Sequence, residues 1–199
     1  MSFLDELSAR LGVPYRLARL PQGCRAYLMN GIAVINDSLT PEQANWSYCH
    51  EVAHSMLQHQ AELPIDDAEE REQELAANRL AAQILLPEGE FRPLAHFSLL
   101  ALKQTFPQAS HEVLAKRRLT YRPGLLTIFD NGRLTARLAP EGWNIPGQFF
   151  PLEQEAMKAC LSKKEEVVME SEGMRIEATY VDEGRGVVRV ILFVEGEEW

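Results

Sequence analysis

The sequence lacks most of the features that assign a protein quickly. Among its 199 residues there are three cysteines, Cys24, Cys49 and Cys160. The number is odd and the spacings match neither a disulfide framework nor a CxxC pair, which points to a reducing compartment. No run approaches the roughly 20 apolar residues that a membrane-spanning helix needs. The first residues carry an acidic pair, Asp5 and Glu6, and no apolar stretch, so they do not read as a signal peptide. Positive charge is scarce: 20 Lys and Arg stand against 29 Asp and Glu, a formal net charge of −9. Such a surface repels phosphate backbones, so direct DNA binding is not expected. The basic run Lys116-Arg117-Arg118 reads as a solvated helix face. Internal repeats and low-complexity tracts are also missing. These absences leave a cytoplasmic globular protein with no membrane partner. With 46% apolar and 25% charged residues it has enough for a sizeable core.

What is present reads as helix first and strand later. Residues 3–11 place Phe3, Leu4, Leu7 and Leu11 on one face, with Gly12 as the stop. Residues 24–29 and 32–35 flank Asn30-Gly31 and predict a hairpin. Thr40, Pro41 and Gln43 form a helix-start signature, predicting a helix to residue 58 or 59. Leu63-Pro64 breaks the chain. Asp66 or Asp67 caps a second long helix, stopped near Leu86 by Pro87 and Gly89. Residues 91–119 read as two helices split at Phe106-Pro107, the second capped by Ser110.

Near residue 121 the pattern changes. Two strands flank Asp130-Asn131-Gly132. Residues 139–150 form a loop and 151–163 a helix. Strands follow near 166–170, 174–181 and 187–194. The expected class is α+β. A helical core with a small N-terminal β-hairpin occupies residues 1–120, and a small α+β domain occupies 121–199.

The chemistry sits in the first long helix. His50-Glu51-Val52-Ala53-His54 is an HExxH motif. Residues four apart share a helix face, so both imidazoles can grip one metal ion. Zinc accepts such nitrogens, and a neighbouring carboxylate, Glu51, can take a proton from the water that zinc acidifies. With five histidines in the chain, chance yields about 0.01 such motifs. The bland reading is two histidines and a glutamate on a solvated helix. Apolar Val52, Ala53, Met56 and Leu57 beside the motif argue for a buried one.

A catalytic zinc site usually takes three protein ligands. Thermolysin-like peptidases follow HExxH with a helix that bears a ligand glutamate and, four residues on, a supporting polar residue. Glu74 and Asn78 resemble that pair. Glu69, Glu70 and Glu72 are nearby alternatives, but Glu74 aligns with Asn78, Ala81 and Leu85 on an inward stripe, whereas Glu69 and Glu70 suit the opening turn of the helix.

Asn36, the HExxH run and the stretch from Glu74 through Asn78 to Leu85-Leu86-Pro87 resemble the ImmA/IrrE family over about residues 20–120. That resemblance implies a minimal zincin-like core and a cytoplasmic protease of narrow specificity. The implied substrate is a helix-turn-helix (XRE-type) repressor, whose loss releases stress-response or mobile-element genes. It implies His50, His54 and Glu74 as Zn2+ ligands, with Mn2+ a second candidate metal, Glu51 as catalytic base and Asn78 as a support. Leu80 stands where the family often has Phe, and Gln58 where a histidine often follows the motif. His59 then reads as solvated or capping. Residues 125–199 loosely resemble a GAF-like sensor domain, giving 121–199 a sensory or substrate-binding role.

Cys49 reads as a small buried hydrophobe. Tyr48, Tyr121 and Arg122 are candidates to stabilise an oxyanion. Two other readings compete with the peptidase. One is a metal-binding regulatory protein that does not cut. The other is a toxin–antitoxin-type partner that binds a repressor intact. Glu51 favours the peptidase, because a structural zinc site has no use for a general base.

Overall fold

The computed structural model describes residues 1–58, 67–171, 173–184 and 186–196. The chain divides into two compact units. One holds Met1–Phe91 with Phe106–Ser110, the other Arg92–Thr105 with His111–Trp199.

In the first unit, α1 (Phe3–Leu11) starts with a capping box between Ser2 and Asp5 and stops at Gly12, whose φ is 69°. Three strands follow: β1 (Tyr15–Ala18), β2 (Ala26–Met29) and β3 (Ile32–Asn36). The predicted hairpin is present, with β2 antiparallel to β3. Asn30 and Gly31 both have positive φ, 53° and 75°, as a two-residue hairpin turn requires. The hairpin is not the whole sheet, however. β1 pairs with β3 in parallel, Tyr15 opposite Ala33, giving the order β1-β3-β2. That pairing is tertiary, and the short run Tyr15-Arg16-Leu17-Ala18 carries no local signal for it.

Helices α2 (Pro41–Gln58) and α3 (Asp67–Leu85) pack on each other, followed by the short α4 (Glu88–Phe91). Predicted features at His59, at Leu63-Pro64 and at Asp66 lie outside the described residues. Phe91 is fully buried, its ring 5.4 Å from that of Phe106.

In the second unit, α5 (Leu99–Thr105) and α6 (His111–Leu119) precede β4 (Leu125–Asp130), β5 (Arg133–Leu138), α7 (Pro151–Lys163), β6 (Val167–Ser171), β7 (Met174–Gly184) and β8 (Val187–Glu195). The five strands form one antiparallel sheet in the order β5-β4-β8-β7-β6. Alternate residues point to opposite faces. Leu125, Phe129, Ile176, Ala178, Val190, Leu192 and Val194 pack with Ala156 and Cys160 of α7 on one face. On the other face, Arg118 of α6 lays its guanidinium over the Phe193 ring, 4.6 Å from its centre, and forms a two-pronged ion pair with Glu177 at 2.8 Å.

That pair corrects the reading of the basic run as a solvated face. Lys116 is exposed, but Arg117 and Arg118 are buried, at 6% and 1% exposure. It also shows why α5 and α6 group with the sheet, although the switch from helix to strand comes near residue 121. Glu177 accepts from Arg118 and from the Leu99 amide, 3.0 Å away at the start of α5. None of the described helices is long and apolar enough to cross a membrane.

Candidate metal centre

The predicted capping box starts α2. The Thr40 amide donates to Gln43 Oε1 at 3.1 Å, and the Gln43 amide donates to Thr40 Oγ1 at 3.3 Å. The buried side of the helix carries Tyr48, Cys49, Val52 and Ala53, none more than 2% exposed. His50, Glu51 and His54 are half-buried at the edge of that side. Met56, expected among the buried residues, is 50% exposed.

The four-residue spacing brings the two imidazoles into edge contact, ring centres 4.6 Å apart at 82°. Their Nε2 atoms are 3.1 Å apart. On α3, Ala77, Ala81 and Leu85 are buried. Glu74 lies on the α2 side, with Oε1 3.0 Å from His54 Nε2 and Oε2 3.6 Å from His50 Nε2. Among the described residues this trio forms the one group of three or more metal-ligating side chains. An open cleft lined by Asp67, Glu70, Arg71, Glu74 and Leu75 leaves Glu74 half-exposed to solvent.

These separations suit a small divalent cation. Nitrogen and oxygen ligands roughly 2.0–2.2 Å from a tetrahedral zinc stand about 3.3 Å from one another. The donor set, two imidazoles and one carboxylate, is also one that leaves a fourth position open. His50 Nδ1 is buried without a hydrogen-bond partner. Asn78 is near enough to favour the protonated form of His50, but makes no well-formed bond to Nδ1.

The electrostatics favour a neutral His50. Burial is the largest influence and lowers its pKa, and His54 adds to it; Glu74 and Asn78 oppose less strongly. A neutral imidazole is the form that ligates a metal. Burial also raises the Glu51 carboxyl above its usual value, against the opposing influences of His54 and a main-chain hydrogen bond from Leu28. A raised carboxyl is a stronger base than a solvated one.

Other candidates fall elsewhere. Tyr48 is fully buried and donates its hydroxyl to the Val13 carbonyl at 2.7 Å, so it is a core anchor rather than an oxyanion donor. Arg122 is committed to Glu195 and to the His96 carbonyl. Tyr121 lies under the Arg117 guanidinium. The buried Cys49 thiol is pushed up to about 12 by desolvation, so it is inert. Trp46, one turn before His50, stacks on its ring at 6.4 Å. The sequence reading missed it, although the i, i+4 spacing was there to be seen.

The IrrE N-terminal-like domain of peptidase family M78 matches residues 6–117, more than half of the chain. Among solved structures, a Mycobacterium tuberculosis transcriptional regulator is similar in fold, with a TM-score of 0.69 at 15% identity over 96% of this chain and 68% of that one. No curated protein matches. The match spans the HExxH helix and the helix bearing Glu74, and on it the chain belongs to the IrrE N-terminal-like family of metal-dependent peptidases.

Proposed function

We propose that the protein is a zinc-dependent endopeptidase of narrow specificity, acting in the cytoplasm on a regulatory protein. The observation that carries this reading is the convergence of His50, His54 and Glu74 from two helices, with separations of 3.0–3.6 Å. In it, His50, His54 and Glu74 hold the metal, with manganese a second candidate. When bound, the ion acidifies water and polarises a peptide carbonyl. Glu51 accepts the water's proton and returns it to the leaving amine. Asn78, one turn after Glu74 on α3 and close enough to influence His50, is assigned a supporting role beside the ligands. Trp46 restrains the same ring from the opposite turn.

The substrate class proposed is a helix-turn-helix (XRE-type) repressor, cut to release stress-response or mobile-element genes. Two points support it. A protein of net charge −9 suits a basic DNA-binding partner better than DNA itself. The structurally similar M. tuberculosis protein is described as a transcriptional regulator, which accords with a regulatory setting. The C-terminal unit takes the sensory or substrate-binding role in this scheme.

The test is cleavage. The full chain, loaded with zinc, is incubated with XRE-type helix-turn-helix repressors from the same organism, in parallel with Glu51→Gln. Cutting by the native chain alone is expected. Cutting by neither form, or by both equally, overturns the proposal.

A further inference from the structure

Helices α1 and α2 lie on one side of the three-stranded sheet. Tyr15 marks that side. Its ring meets Tyr48 of α2 edge-on at 6.2 Å, and its hydroxyl donates to Asp5 of α1 at 2.7 Å. Ala33 and Leu28 stand beside Tyr15 in register and share its side. Side chains alternate along a strand, so the residues between these project from the opposite side. Register sets them in three rows. Met29 stands beside Ile32. Tyr27, Val34 and Arg16 form the central row, and Arg25, Asn36 and Ala18 the last.

The solvated side of an antiparallel pair is ordinarily polar. This side is not. Tyr27, Met29 and Ile32 are 36%, 47% and 38% exposed, around a fully buried Val34. Arg16 and Arg25 stand beside them, both exposed. Among the described residues neither guanidinium has a partner. No lysine precedes Lys103, so the two arginines are a local excess of positive charge in an acidic chain.

An aromatic ring, a methionine and an isoleucine edged by arginine have the composition of a protein-docking patch. The charge decides what docks. We propose that this face binds an acidic amphipathic helix of a partner protein. Its apolar residues cover Tyr27, Met29 and Ile32, and its carboxylates pair with Arg16 and Arg25. Met29 to Arg25 spans about 13 Å of strand, which about two and a half turns of helix cover. A second copy placed face to face would set Arg16 and Arg25 against their own counterparts, a like-charge contact. A nucleic acid would meet two cations on a chain of net charge −9, which repels a polyanion. The face is turned away from α2, so its occupation requires neither metal nor cleavage.

The test uses the full chain. The probe is a fluorescent peptide of about 14 residues, roughly four turns of helix, with leucine at i, i+3, i+4 spacing and glutamate elsewhere. The same peptide with lysine for glutamate, and a single-stranded oligonucleotide, run beside it. Anisotropy reads binding, and amide NMR shifts at residues 25–34 read its place. The glutamate peptide is expected to bind there and the lysine peptide not. Arg16→Glu with Arg25→Glu should weaken binding at least about 10-fold while circular dichroism stays native. Arg16→Gln with Arg25→Gln should weaken it less, and added salt should weaken it in the native chain. No binding of the glutamate peptide, equal binding of the lysine peptide, or shifts confined to other residues overturns the proposal. So does binding unchanged by either pair of substitutions, tighter binding of the oligonucleotide, or a concentration-dependent dimer that protects residues 25–34.

Discussion

His54 Nε2 and Glu74 Oε1 stand 3.0 Å apart on two different helices. The contact spans the segment between α2 and α3 and joins the histidine pair to the carboxylate. It depends on the α2–α3 packing as much as on the motif, so changes at that helix interface should be felt at the site.

Trp46 offers an optical report on this arrangement. Its ring stacks on His50, so fixing that imidazole on a metal alters its surroundings. Titration of the metal-free chain with zinc is expected to change tryptophan emission, and Trp46→Phe should abolish the change. Persistence of the change in Trp46→Phe would place its origin at Trp143 or Trp199.

The Arg118–Glu177 pair should dominate the acid stability of the C-terminal unit. Both side chains are at most 3% exposed. Removing one partner leaves a buried charge, so Arg118→Met is expected to cost about 3–5 kcal/mol by denaturant unfolding. Glu177 has a folded pKa below its unfolded value. The unfolded chain therefore binds more protons below about pH 4.3, and the stability from this pair is lost as pH falls through the folded pKa. Glu177→Gln should flatten that acid limb, and an unchanged limb would mean that other carboxylates set it.

Gly124 tests the fit of β4 to β8. A methyl group at that position would stand 2.6 Å from the Val194 carbonyl oxygen and 3.1 Å from the Phe193 ring. Main chain cannot yield as a side chain can, so Gly124→Ala is expected to destabilise by about 1–3 kcal/mol. Gly89→Ala meets nothing within 4 Å and serves as the control. Equal stability of the two variants would contradict the packing described.

Cysteine labelling reads the burial directly. Cys49 and Cys160 are buried, with thiols pushed up to about 12 and about 11, first by desolvation. Cys24 is partly exposed. A thiol reagent at mildly alkaline pH should modify Cys24 first, and the other two only on unfolding.

The parts of this structure written in local sequence were legible there. Thr40, Pro41 and Gln43 announce the start of α2, and Asn30-Gly31 and Asn131-Gly132 announce their hairpins by needing positive φ. The HExxH spacing fixes the imidazoles on one face, and the register of Glu74 with Ala81 and Leu85 turns it toward α2. What was hidden depends on partners far along the chain. β1 exists because β3 accepts it. Arg118 looked solvated because its partner, Glu177, lies on a strand of the second unit. The grouping of α5 and α6 with the five-stranded sheet follows from the same pairing, which no local pattern announces.

Metal binding tests the central claim most directly. Elemental analysis and zinc titration of the native chain should give one ion per chain. Glu51→Gln should keep that stoichiometry, since Glu51 is assigned to the proton and not to the metal. His54→Ala and Glu74→Ala should each weaken binding at least about 10-fold while circular dichroism stays native. A native chain that takes up no zinc, or a Glu74→Ala chain that binds it as tightly as the native one, would contradict the account.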